Sequence, residues 1–149
     1  MTTATTSPDG TVTLTLTHRY AAPPERVFDA WLDPALARRF AFATPTGEMI
    51  VAEVDARVGG RFDFTDRRPD MGDVKHVGEY LVIDRPRRLT FSFGVPQFDP
   101  RMTTVTLDFK AVDGGTELTL THDGVLAEYA EGTPRGWAII LGSLETVVQ

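Results

Sequence analysis

Two histidines carry most of the chemistry this sequence offers. His18 and His122 each continue the apolar side of an alternating segment, His18 after Leu14 and Leu16, His122 after Leu118 and Leu120. An inward imidazole there has two readings. It is a ring at the end of the core, hydrogen-bonded to backbone or water, or it is a hydrogen-bond partner or general base for a bound molecule near neutral pH. His76 could add a third metal ligand, but no pair of the three has helical or alternate-strand spacing, so neither a metal nor a cofactor is expected.

The aromatic residues are the second feature. Trp31, Phe40, Phe42, Tyr80, Phe91, Phe93, Phe109 and Trp137 are spread over nearly the whole chain. Each buries about 150 to 250 Å² when enclosed, so most must be core. Tyr80 and Trp137 also need partners for their polar atoms. Other signals are weak. Asp66, Asp70 and Asp73 lack the alternating carboxylates and central glycine of a calcium loop. Gly59-Gly60 and Gly114-Gly115 follow no strand-to-helix pattern and read as turns, and Ser7, Ser92 and Ser143 sit in no nucleophile-elbow context. Glu25, Glu53 and Glu79 serve as bases only if they face inward, which alternation leaves open.

The elements that must position these residues follow from periodicity. Thr11 to Tyr20 alternates strictly, with Val12, Leu14, Leu16, His18 and Tyr20 on one side and threonines on the other, which predicts a half-buried strand. Pro23 and Pro24 stop it and open a helix carrying Val27, Phe28, Trp31 and Leu32; Asp33-Pro34 caps a second short helix to about Phe40. Six further strands are predicted at residues 48–55, 61–66, 75–84, 88–94, 102–112 and 116–123, with longer loops at 67–73 and 95–100. Their connections are too short for parallel crossovers, so the sheet is antiparallel. Thr133-Pro134 then starts a last helix whose stripe of Trp137, Ile140, Leu141, Leu144 and Val148 must lie on the sheet. The expected fold is α+β: a curved seven-stranded antiparallel sheet gripping a C-terminal helix, in the order β, α, α, six β, α.

Composition bounds the rest. A chain of 149 residues with 42% hydrophobic and 24% charged residues supports one core, so residues 11–149 are expected as a single domain and residues 1–10, rich in Thr and Ser, as a frayed tail. No apolar run approaches a membrane span, and the start lacks the features of a secretory signal. The absence of Cys suits a reducing compartment, making cytoplasm the expected location. A net charge of −6 argues against nucleic acid as a partner, and Arg85, Arg87 and Arg88 around Pro86 read as a solvated turn.

The segments PPERVFDAWLDPALARRF, RVGGRFDF, HVGEYLVIDRPRRLTFSF and GGTELTLTHDGVL followed by GW, in this order, resemble the START-like or SRPBCC superfamily. More narrowly they resemble the branch named after the activator of the heat-shock-protein-90 ATPase. The resemblance runs from about Thr11 to the end. It implies a cavity between sheet and C-terminal helix that takes lipids, hormones, polyketides or other small apolar molecules, and it carries no shared catalytic signature. One departure is visible: Phe40, after Arg38 and Arg39, stands where many relatives have Trp.

With that cavity in view, the expected ligand-lining residues are His18, Phe40, Phe42, Tyr80, Phe91, Phe93, His122, Trp137 and Leu141, with Phe40 and Phe42 beside the mouth. The leading expectation is a binding protein for a small apolar molecule, ring-containing or acyl. The alternatives are a cyclase or hydrolase using His18 or His122 in the same cavity, and a co-chaperone-like interaction module with a chaperone partner. An edge strand or the final helix would support a homodimer, for which no sequence feature argues.

Overall fold

A computed structural model describes residues 2–149 of the chain. Its strands are β1 (Thr2–Thr6), β2 (Thr11–Tyr20), β3 (Glu48–Val54), β4 (Arg61–Arg68), β5 (Gly72–Asp84), β6 (Arg88–Phe93), β7 (Thr103–Val112) and β8 (Gly115–Leu126). Between β2 and β3 lie α1 (Pro24–Leu32) and α2 (Pro34–Ala37); after β8 come a 3-10 turn (Ala127–Tyr129) and the long helix α3 (Gly132–Val147). The strands form one antiparallel sheet in the order β1-β2-β8-β7-β6-β5-β4-β3. The helix grip is thus as expected, with eight strands instead of seven.

The additional strand corrects the reading of residues 1–10 as a tail. Thr2 to Thr6 pairs with Leu16 to Val12 along the edge of β2. The turn that makes this hairpin is built from Ser7-Pro8-Asp9-Gly10: Gly10 takes φ 86 and donates to the Ser7 carbonyl at 3.0 Å, and Asp9 accepts from the Thr11 amide at 3.0 Å. Proline, aspartate and glycine each lower the cost of such a reversal. All five residues of β1 are exposed, so the strand is held by its backbone ladder and by the β propensity of threonine.

The helix boundaries follow local chemistry. Pro24 occupies the first turn of α1, and the Asp33 side chain accepts from the Ala35 amide at 3.0 Å to cap α2. α3 starts one residue before the expected Thr133 and buries Trp137, Ile140, Leu141 and Leu144 at the spacing of one helical face. The segment 67–73, expected as a long loop, is mostly strand, because β4 and β5 continue pairing to Arg68 and Gly72.

The core lies between the inner face of the sheet and the helices. β8 contributes Leu118, Leu120 and His122, β7 contributes Val105, Leu107 and Phe109, and β4 contributes Phe62 and Phe64. Three arginines of the β5–β6 turn are solvated, as expected, and each is ion-paired: Arg85 with Asp29 of α1 at 2.7 Å, Arg87 with Asp84, Arg88 with Asp108. Surface pairs of this kind contribute little individually. Their value here is positional, since Arg85 and Asp29 meet in two hydrogen bonds that fix α1 against the turn.

Gly78 on β5 shows how tightly the sheet curves. It pairs with Phe62 of β4, and a Cβ there would fall within overlap distance of the Ser92 carbonyl oxygen and 2.5 Å from the Phe62 ring. The missing side chain is the space into which Phe62 leans. Gly78→Ala is expected to destabilise the fold by about 1–3 kcal/mol, the range for overpacking, read as a lower urea midpoint with an unchanged slope; an unaltered midpoint would show that the sheet relaxes around the methyl.

Candidate functional site

Strand register separates the two histidines. β2 and β8 pair with Leu14 opposite His122 and His18 opposite Leu118, so the two rings stand four residues apart along the strands, about 13 Å at 3.3 Å per residue. They do not form one site. His18 lies at the rim, half-buried, where its Nε2 meets Glu145 of α3 at 3.0 Å. Its ring leans on Tyr20, whose hydroxyl donates to the Leu141 carbonyl at 2.7 Å. This end of the sheet holds the C-terminal half of α3.

His122 holds the N-terminal half. The indole Nε1–H of Trp137 can only donate, and its acceptor at 2.9 Å is His122 Nδ1. The neutral ring therefore carries its proton on Nε2, which donates to Thr103 Oγ1 at 2.7 Å. Thr103 in turn donates to the Phe93 carbonyl at 2.9 Å. Every member of this chain is satisfied, and His122 is 3% exposed, so both ring nitrogens are spent on structure. As a general base the imidazole would first have to release Trp137.

The expected aromatic lining is packed more tightly than the idea of an open cavity required. Phe42 lies nearly parallel to His76 (4.7 Å, 11°), Phe93 (5.0 Å, 11°) and Phe62 (6.2 Å, 7°). Since His76 and Phe93 are only 6.1 Å apart, they form a side-by-side platform and Phe42 lies flat across both. Phe40 stands edge-on to Trp31 at 5.0 Å, and Phe91 is edge-on to Phe62 at 5.3 Å. Leu141, Phe40 and Phe42 are buried in the core, so Phe40 and Phe42 do not stand open at a mouth. Phe42 achieves its position at a cost. Its φ is 61°, a left-handed conformation that disfavours bulky side chains by about 1–2 kcal/mol.

What remains empty is divided. Between the rings is a void of about 10 Å³, lined by Trp31, Ala41, Phe42, Phe62, Phe64, Tyr80, Leu89 and Phe91. Trp31 Nε1 is fully buried and has no hydrogen-bond partner among the described residues. A cleft of about 180 Å³ opens on the other side of Phe93, beside His122 and Thr103. Its walls are Val95, Phe98, Val125 and Leu126, with Asp99, Arg101, Tyr129 and Thr133 toward solvent. The loop that covers it is tethered at both sides: Gln97 bridges the Lys75 amide and the Asp73 carbonyl, and the Tyr129 hydroxyl donates to the Phe98 carbonyl at 3.3 Å.

Other candidates resolve simply. Glu53 and Glu79 lie along a charged groove with Arg61, Asp63 and Lys75, and Glu79 alternates with the buried Tyr80, so both point away from α3. His76 is buried, with Nδ1 on the Phe64 carbonyl at 3.0 Å. Among the described residues no group of three His, Asp or Glu is placed to hold a metal. Asp66, expected as the last residue of its strand and examined only as part of a calcium loop, is a fully buried carboxylate within β4; Arg68 and Thr44 each donate to its Oδ2 at 3.0 Å, anchoring the segment that follows Phe42. Phe62 and Phe64 were not recognised as part of the aromatic cluster, although their alternation in RFDF and the glycine opposite, in HVGEY, are a readable signal.

Burial pushes the pKa of both His76 and His122 down from 6.5 to about 4, with the loss of solvation as the main cause. The unfolded chain takes up these protons near pH 6.5 and the folded one only near pH 4. Their contribution is therefore intact above pH 6.5 and is lost as pH falls toward 4, by about 2 kcal/mol per ring at pH 5. Urea unfolding at pH 7.5, 6 and 5 should show a falling midpoint, and His122→Gln should remove its share of the slope. A flat profile would mean that the rings are solvated.

Comparison with known proteins agrees with this architecture. The family model described as Activator of Hsp90 ATPase homolog 1-like protein matches residues 21–149. Protein CV1439 from Chromobacterium violaceum is 26% identical, with a TM-score of 0.83 over 91% of this chain and 96% of that one. CalU16 from Micromonospora echinospora is also 26% identical, with a TM-score of 0.70 over 100% of this chain and 84% of that one. Protein Ms6760 from Mycobacterium smegmatis shares the fold at 24% identity and a TM-score of 0.79, over 99% and 96%. No curated protein matches. With the helix grip in place and the family model covering every element from α1 to α3, the chain belongs to the Activator of Hsp90 ATPase homolog 1-like family of the START-like superfamily.

Proposed function

We propose that this protein binds a small apolar molecule, ring-containing or acyl, in the space between its sheet and α3. The observation that carries this reading is the apolar cleft against Phe93, Phe98, Val125 and Leu126, which reaches the sheet–helix interface where it is lined by two polar side chains, the buried His122 and the half-buried Thr103. An apolar wall with a few convergent polar groups is the usual form of a ligand site. Thr103 gives one proton and accepts one, which leaves an oxygen lone pair for a ligand donor. Arg101 at the rim is exposed and donates to both Asp99 and the Gly124 carbonyl at 3.4 Å, long contacts that an anionic or carbonyl end of a ligand would compete with. The cleft's 180 Å³ is below the roughly 300–1,000 Å³ of sites for larger ligands, so it takes one ring or a short acyl chain without rearrangement.

Binding suits this geometry better than catalysis. The imidazole nearest the cleft is neutral and doubly hydrogen-bonded, and the other is about 13 Å along the strands from it. Native mass spectrometry of protein purified from its own cells should retain a small molecule that denaturation releases. In titrations with fatty acids, phenols and polyketide-like compounds, at least one class should quench Trp137 with micromolar affinity. Thr103→Val should weaken that compound about tenfold and, by leaving His122 Nε2–H without its acceptor, also lower the unfolding midpoint, whereas Thr103→Ser should keep both. If no mass co-purifies and nothing in the panel binds below millimolar, the proposal is wrong.

A further inference from the structure

The 10 Å³ void is the more informative of the two spaces, because its lining is not chemically complete. Trp31 offers a buried N–H with no acceptor, and a buried polar group without a partner is uncommon in a settled core. Tyr80, held protonated by burial, lines the same void. One wall of the space is Phe42, which rests flat on the His76–Phe93 platform, parallel to Phe62, from a backbone conformation its own Cβ disfavours. Strain of this sort is retained where a structure has a use for it. Phe42 also sits on a connection rather than on a strand: α2 ends at Ala37, and the next strand begins at Glu48. Its carbonyl accepts from Arg68 at 3.5 Å, a long and weak hydrogen bond.

Resting on the small-molecule reading above, we propose that Phe42 is a retractable plug standing in for the planar ring of a ligand, and that this ligand carries a hydrogen-bond acceptor which meets Trp31 Nε1–H. When Phe42 withdraws, the exposed platform of His76 and Phe93 stacks a flat ring, and the void widens toward Trp31. The acceptor must be an oxygen or nitrogen lone pair, since indole only donates. The ligand class is therefore a flat aromatic with a ring-attached carbonyl or ether, in preference to a saturated chain or a non-planar ring system. Because Phe93 borders both this slot and the outer cleft, substituents leave toward Phe98 and Arg101.

The test uses 2-acetonaphthone and its hydrocarbon isostere 2-isopropenylnaphthalene, followed through the indole N–H resonances of Trp31 and Trp137 in the 15N-labelled protein, with Trp31→Phe supplying the assignment. The ketone should shift the Trp31 resonance downfield in the wild-type chain. Phe42→Leu should bind both compounds about tenfold more tightly. Adding Trp31→Phe to Phe42→Leu should then cost the ketone about tenfold and leave the hydrocarbon unchanged. If Phe42→Leu loses its dispersed spectrum, the wild-type Trp31 shift decides alone. A ketone that moves Trp137 and leaves Trp31 in place overturns the plug while keeping ligand binding, because the molecule then sits in the outer cleft. Equal behaviour of ketone and hydrocarbon also overturns it. Failure of both probes overturns the plug if a compound of the wider panel binds, and overturns the binding function itself if none does.

Discussion

The hydrogen bond from Trp137 to His122 organises the inside of this protein. It is the point where α3 is tied by a directional contact to the middle of the sheet, and it decides the protonation of the histidine: an indole N–H selects the lone pair on Nδ1 and sends the ring's proton to Nε2. From there the orientation of Thr103 and the carbonyl it meets on Phe93 are determined. A protonated imidazole would present a second N–H to Trp137 and lose this acceptor. Burial keeps the ring neutral, so electrostatics and geometry support the same state. The second tie, Tyr20 to the Leu141 carbonyl, sits near the other end of the helix. Between them the apolar stripe of α3 supplies area but little directional preference, and these two buried contacts, with Glu145 on His18 at the rim, fix where along the sheet the helix lies.

This arrangement also explains which parts of the structure were legible in the sequence. Elements whose signal is local were read well: the strict alternation of β2, the prolines opening α1, the Asp33 cap and the stripe of α3. β1 was missed because five exposed residues have no apolar alternation to report, while the turn signal of Pro8-Asp9-Gly10 was present and passed over. The inward face of His18 and His122 was correctly inferred from alternation, but alternation gives the face and not the depth. Their separation depends on the pairing of Leu14 with His122 across 108 residues of chain, 122 − 14, which no local pattern encodes. Phe42 was counted as an aromatic without any hint that its φ would be positive, because that conformation is imposed by what Asp66 and the platform hold around it.

Asp66 shows a different kind of dependence. A fully buried carboxylate is costly, and here it is offset by Arg68 and Thr44 on one oxygen while the other has no partner among the described residues. Gly47 packs directly over it, so close that any side chain would collide with both oxygens. Such a group contributes little net stability, yet it specifies position: Phe40, Ala41 and Phe42 are already set in the core, and Asp66 fixes the part of the connection that follows them. The strained backbone at Phe42 and the charged anchor at Asp66 therefore belong to one device. One end of the segment is pressed into the aromatic cluster and the other is tied to β4.

A closed interior and the proposed binding of a ligand are reconciled by considering what an empty cavity would cost. A void of a few hundred Å³ forfeits dispersion contacts along its whole lining, at about 24 cal/mol per Å³ in measured core truncations, which is a large part of a small domain's stability. A chain of this size with a single core has little margin for that loss. Filling the space with one of its own rings recovers the contacts, and a ring held in a disfavoured backbone conformation gives part of the gain back. The net attachment of Phe42 is thereby weaker than its contacts alone suggest, and a ligand offering the same stacking area together with the acceptor that Trp31 lacks can replace it without first having to compensate for a fully relaxed core.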